Sequence, residues 1–152
     1  MLIFSTSIRN LMLGRGLLAN LSSPCSISVY TGAQPTAANF IANWSSYSSG
    51  NPAFLVHYTG AVWNQPSNGV LMQLATVPAA TAPANTGTAT WCIIWSTAIT
   101  GIQMAAGTVP SNNFIIGPCS DAIGDGIIRF SNPALVASTP VVILDGSIGA
   151  TS

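Results

Sequence analysis

At 152 residues the chain is long enough for one domain with a real core and cramped for two. Apolar residues make up 49% of it, which excludes disorder, while charged residues make up 4%, against about 25% in an ordinary soluble domain. The cations are Arg9, Arg15 and Arg129 and the anions Asp121, Asp125 and Asp145, so there is no basic stripe for nucleic acid and no field to steer a charged substrate.

The chain has neither lysine nor glutamate. Those residues supply much of the exposed face of ordinary helices, so a mainly helical fold is not expected. Ten prolines and fourteen glycines, with many Ser, Thr and Asn, point instead to short strands and turns. A formal net charge of zero removes the repulsion that keeps monomers apart. The expected working state is therefore an assembly, in which copies of the chain or other subunits cover much of the surface.

The chain opens with "MLIFSTSIRNLMLGRGLLANLSSPCS". Arg9, Asn10 and Arg15 interrupt its apolar part, where the core of a signal peptide is unbroken, and Pro24 directly before Cys25 fits lipoprotein cleavage poorly. Elsewhere Gly, Pro, Ser or Thr breaks every apolar stretch before 18 residues, so no membrane-spanning helix is expected. From Thr6 to Leu21, Ile8, Leu11, Met12, Leu18 and Leu21 recur at helical spacing, with Arg9 and Arg15 near the polar flank. Gly14 and Gly16 weaken its middle by about 1 kcal/mol each relative to alanine. Residues 1–25 thus read as an amphipathic helix or arm, and 26–152 as a β domain.

Strands follow. Ile27–Tyr30 ends at the turn "TGAQP", and Phe54–Tyr58 comes next. Asn68-Gly69 in "PSNG" suits a hairpin between Ala61–Asn64 and Val70–Ala75. Residues 77–88 are a Pro-, Ala- and Thr-rich crossing without strong pattern. "TATWCIIWS" is the strongest strand: Trp91, Ile93 and Trp95 point one way, Cys92 and Ile94 the other, so both faces read as covered and the strand as central. Phe114–Ile116 is closed by Gly117-Pro118, Ile127–Phe130 follows a turn at Asp125-Gly126, and Val141–Leu144 ends at a turn at Asp145-Gly146. Such spacing predicts a mainly β fold, an antiparallel β-sandwich of jelly-roll type.

Little in the chain carries chemistry. His57, the one histidine, lies on a strand in "FLVHYTG", and the nucleophile-elbow pattern G-x-S-x-G is absent. A partly buried or interface histidine is the expected reading, a small hydrolase built on His57 the remote one. Cys25, Cys92 and Cys119 are odd in number and widely spaced, which suits core thiols better than zinc. Asp121 and Asp125 are too sparse for a calcium loop. No cofactor, metal or small-molecule ligand is expected. Trp44, Tyr47 and Trp63 fall in or near loops rich in Asn, Gln and Ser, where aromatics fold over a core rim, anchor a subunit interface or stack on a sugar, in that order. Asn20-Leu-Ser22 and Asn43-Trp-Ser45 match the short glycosylation sequon.

Four stretches in order suggest a family. They are the "T-x-x-R-N" of Thr6–Asn10, the strand-turn from Val29 to Pro35, the "G-T-A-x-W" of Gly87–Trp91, and the closing strand pair from Ile127 to Ile148. This arrangement resembles a group of small structural proteins of tailed bacteriophages, and covers most of the chain. It departs between Pro35 and Phe54, which is longer than the compact strand expected there.

The resemblance implies a non-enzymatic protein of the virion with no catalytic residues to carry over. A capsid cement or decoration protein, binding the major capsid protein and copies of itself, is the first expectation. A tail, baseplate or fibre component that contacts host glycans is the alternative. The expected contact residues are Ile8, Arg9, Leu11 and Met12 of the arm, with Trp44, Tyr47 and Trp63.

Overall fold

The computed structural model describes residues 3–4, 25–47, 50–64, 71–95, 114–121 and 127–149. Among these residues ten strands run in chain order: β1 (Ile3–Phe4), β2 (Cys25–Tyr30), β3 (Phe54–Trp63), β4 (Leu71–Thr76), β5 (Gly87–Thr88), β6 (Trp91–Trp95), β7 (Phe114–Ser120), β8 (Ile128–Phe130), β9 (Ala134–Leu135) and β10 (Ile143–Gly149). Between β2 and β3 lie a one-and-a-half-turn helix, α1 (Ala37–Ala42), and a 3-10 turn at Trp44–Tyr47. The expected mainly β, sandwich-like architecture is found. Its layers are parts of one sheet, ordered β1-β7-β6-β2-β3-β4-β10-β8, whose last strand returns to β7 and nearly closes a seven-stranded barrel.

All neighbours in this ring are antiparallel except β7 and β8. That parallel ladder has only two pairs, Cys119↔Ile128 and Ser120↔Arg129. The chain therefore has little distance to travel back, and a long crossover is not needed. β1 extends the same edge of β7 through Ile3↔Ile116 and Phe4↔Ile115. A separate pair, β5 and β9, matches Gly87 to Leu135 and Thr88 to Ala134.

"WCIIW" sits where its pattern put it, between β2 and β7, with all five residues buried. Cys92 and Ile94 join Ile27, Val29, Val56, Tyr58, Ile115, Phe130 and Ile143 in the interior core. Trp91, Ile93 and Trp95 join Tyr30, Phe54, Phe114 and Ile116 on the opposite face. That outer face is apolar because α1 and the 3-10 turn lie on it, supplying Phe40, Trp44 and Tyr47.

Three strand boundaries differ from expectation, each for a reason that lies in a neighbouring element. Phe54–Tyr58 and Ala61–Asn64 are one strand, because Gly60 (φ +84°) forms a bulge and does not break it. Cys25 pairs with Ala61 and Ile27 with Tyr58, so three steps along β3 answer two along β2, and both Tyr58 and Ala61 keep their side chains inward. Gly117-Pro118 does not end β7: a Cβ at Gly117 would lie 2.6 Å from Ile127 Cδ1, so the glycine makes room for the residue leading into β8. The Pro118 carbonyl accepts from the Ile127 N–H at 2.9 Å.

Asp145-Gly146 is no turn. β10 runs through it, with an irregularity between Ile143↔Phe130 and Asp145↔Arg129 that accommodates Leu144. The region after Pro35, read as turn and loop, holds α1. Thr36 caps it by accepting the Asn39 N–H at 3.1 Å, and Phe40 alone is buried.

The arm at 1–25 lies outside the described residues except for β1 and for Cys25, which opens β2; the proposed helix over 6–21 and the turn at 66–69 are likewise outside. Among the described residues no helix is long and apolar enough to cross a membrane.

Candidate functional site

The sole histidine does find a serine. Ser28 faces His57 across the β2–β3 ladder, on the outer side of the sheet, because Ile27 and Val29 face the interior core. The Ser28 Oγ and His57 Nδ1 are 2.9 Å apart, and the Trp95 indole N–H donates to the same Oγ at 3.4 Å. The Ser28 hydroxyl thus bridges the Trp95 indole and the His57 ring.

A Ser–His contact is the first requirement of nucleophilic catalysis. Ser28 nevertheless has no exposed surface, being 0% accessible like its neighbour Ser26. Its hydroxyl offers a substrate no approach, and the arrangement is a polar clasp in an apolar layer. Among the described residues no three His, Cys, Asp or Glu side chains gather into a metal-binding group.

Beside the clasp lies an aromatic layer. Tyr30 stacks on Trp91 with centroids 4.3 Å apart and planes 10° from parallel, and Tyr47 meets both edge-on at 6.0 and 5.6 Å. Phe40 packs against Tyr47, Phe114 and Trp95. The Tyr30 hydroxyl donates to the Tyr47 carbonyl at 2.8 Å, tying the 3-10 turn to the sheet. Burial raises the Tyr30 phenol far above its ordinary range, so it remains a donor at any physiological pH.

These contacts settle where the loop aromatics go. Trp44 is 7% accessible in the outer-face cluster, and Trp63 is 3% accessible in the interior core. As a sugar platform or an interface anchor they are corrected: their ring faces are spent inside the domain. Tyr47 is half-buried against the same layer. The indole N–H groups of Trp63 and Trp91 are buried without a hydrogen-bond partner among the described residues. Ile8, Arg9, Leu11 and Met12 lie outside the described residues.

Charge is nearly absent from the described surface. Arg129 on β8 grips Asp145 on β10, its Nε reaching Oδ1 at 2.9 Å and Oδ2 at 3.0 Å while Nη2 pairs with Oδ2. The guanidinium hydrogen bonds hold the Asp145 carboxyl below its usual range, and the carboxylate raises Arg129 in return. The remaining described charge is the exposed Asp121. Asn43, in the second sequon, caps the end of α1, its side-chain amide donating to the Asn39 carbonyl at 3.1 Å.

Among its exposed residues are several large apolar ones. Val142 and Leu144 flank the inward Ile143 and are 45% and 44% accessible; Val136 follows β9 at 54%. Val77, which continues β4, and Ile41 on α1 are also exposed. In the sequence "VVIL" is apolar at every position, so which of its residues face outward is seen only in the structure. Comparison with known proteins finds no matching family model, no matching curated protein and no matching solved structure.

Proposed function

We propose that this chain is a non-enzymatic structural component of a tailed-phage virion, and that it serves as a cement or decoration protein of the capsid. The observation that carries this reading is the pair Val142 and Leu144, exposed on a surface whose described charges are one ion pair and one aspartate. Outward aliphatic side chains on a rigid strand, without charge to keep copies apart, favour burial against other subunits. The partners on this reading are the major capsid protein and further copies of the chain, bound by apolar area and backbone contacts. The resemblance of its short motifs to those of small tailed-phage structural proteins supports the same assignment. Ser28, which meets His57, is fully buried, and this favours a structural over a catalytic role for that pair.

Quantitative mass spectrometry of purified particles tests the proposal. Copies on the order of hundreds per particle fit a shell protein built on capsid symmetry. A handful of copies assigns it to the tail or baseplate, and absence from the particle overturns the virion reading.

A further inference from the structure

Cys92 and Cys119 share the inner face of adjoining strands. Cys92 in β6 stands opposite Gly117, so Cys119, two residues further on, is its diagonal neighbour across the β6–β7 ladder. Both belong to the interior core, Cys92 fully buried and Cys119 half-buried. Cys25 lies elsewhere, at the opposite end of β2 from the residues that face the start of β6. All three are thiols in this structure.

Diagonal positions of an antiparallel pair have Cα atoms about 7–8 Å apart, while a relaxed disulfide wants about 5.5–6 Å. One partner must therefore move inward for a bond to form. Cys119 is placed to do so: it is the penultimate residue of β7, held there by its N–H donating to the Thr90 carbonyl at 2.9 Å. Cys92 is locked in mid-strand between β2 and β7.

We propose that Cys92 and Cys119 are a redox-closable dithiol, which becomes an intramolecular disulfide when the protein leaves a reducing compartment. The oxidant is a low-molecular-weight disulfide such as oxidised glutathione. The Cys119 sulfur, the more accessible of the two, attacks one glutathione sulfur; a Cys119–glutathione bond forms and one glutathione thiol leaves with the proton. Cys92 then attacks Cys119, the second glutathione leaves protonated, and the two cysteines have lost the two electrons that the glutathione disulfide gained. Burial holds the Cys92 thiol well above its ordinary pKa, which makes the second step the slow one. The product clips β6 to β7 beside the parallel β7–β8 pair that completes the ring. Only the timing rests on the virion reading, since a particle component folds in a reducing cytoplasm and persists outside it.

The test uses the purified, reduced protein incubated with excess oxidised glutathione, then alkylated and weighed intact. One alkylatable thiol is expected in place of three, with the protein itself lighter by about 2 Da and a Cys92–Cys119 linked peptide after digestion without reduction. Cys25→Ser keeps the linkage; Cys92→Ser leaves a glutathione adduct on Cys119. Three alkylatable thiols after oxidation, a persistent adduct on wild-type Cys119, or linkage through Cys25 or between chains overturns the proposal. Particles take no part in this experiment, so its failure leaves the virion reading where copy number puts it.

Discussion

Ser28 and His57, 29 residues apart, meet on the outer face of the sheet with Oγ 2.9 Å from Nδ1, and Trp95 completes the group by donating to the same hydroxyl. Ser28→Ala removes the hydroxyl that the Trp95 N–H donates to and that the His57 ring meets. Losing a partner there costs about 1–3 kcal/mol, and equilibrium urea unfolding measures it. With His57→Ala as the second arm, a double-mutant cycle is expected to return coupling of at least about 0.5 kcal/mol. Additive losses would mean that the two side chains do not act together.

Gly117 and Ile127 form a second matched pair. A Cβ at residue 117 meets Ile127 Cδ1 at 2.6 Å and Cγ1 at 2.9 Å. Gly117→Val is expected to destabilise by about 1–3 kcal/mol through overpacking. Gly117→Ala combined with Ile127→Ala is expected to cost less than the sum of the two single changes, because the smaller side chain vacates the space the new methyl needs. Strict additivity in chemical unfolding would contradict the packing described here.

The sequence exposed the strands that carry their own pattern. "WCIIW" is apolar on both of its faces, so its central place and two buried faces followed from it alone, and both were found. Features set by a partner strand were not legible. Gly60 and Asp145-Gly146 look like turns in isolation, and become a bulge and a strand interior only once β2 and β8 fix their register. α1 has one buried anchor, Phe40, so its apolar period is too sparse to see. Trp63 sits near polar residues in sequence, and enters the core because the bulge at Gly60 rephases β3. Ser26 and Ser28 alternating with Ile27 and Val29 did mark a polar row on a buried strand, but not its meeting with His57.

Stability should fall at alkaline pH. Burial pushes the Cys25 thiol from its ordinary 9.0 up to about 12, and raises the Tyr58 phenol above its ordinary 10.0. Both groups are neutral in folded and unfolded chains below those ordinary values, so stability there does not depend on them. As pH climbs past about 9, the unfolded chain loses the Cys25 proton while the folded chain keeps it, and the folded state loses ground until pH reaches about 12. Cys25→Ala is expected to reduce this slope between those limits, leaving the part that buried Cys92, Tyr30 and Tyr58 carry, while lowering stability at neutral pH through a smaller core side chain. An unchanged slope in urea titrations across that range would show that Cys25 is not the group responsible.

Asp145 has the opposite sign. Its carboxyl is held low by Arg129, so the pair contributes above the ordinary carboxylate pKa and is lost as pH falls through the lowered one. Because Asp145 is half-exposed, the effect is small and screened by salt. Asp145→Asn is expected to narrow its stability difference from wild type as pH drops below the usual carboxylate range, most clearly at low ionic strength. A difference that persists unchanged at acid pH would point to packing as its source.

Val142 and Leu144 separate folding from assembly. Both side chains point away from the core, on either side of buried Ile143. Replacing each by a polar residue therefore removes no interior contact, and stability is expected to stay within about 0.5 kcal/mol of wild type. Association is expected to respond differently: if outward apolar area holds the chain to capsid subunits or to its own copies, Val142→Thr with Leu144→Gln weakens binding at least tenfold. Binding by apolar area is also insensitive to ionic strength, whereas exposed charge pairs fade once the screening length drops to about 8 Å near physiological salt. Sedimentation or co-pelleting with particles, run in low and moderate salt, reads both effects at once. Association that ignores the double variant, or that collapses between the two salts, would place the binding surface elsewhere and make it electrostatic.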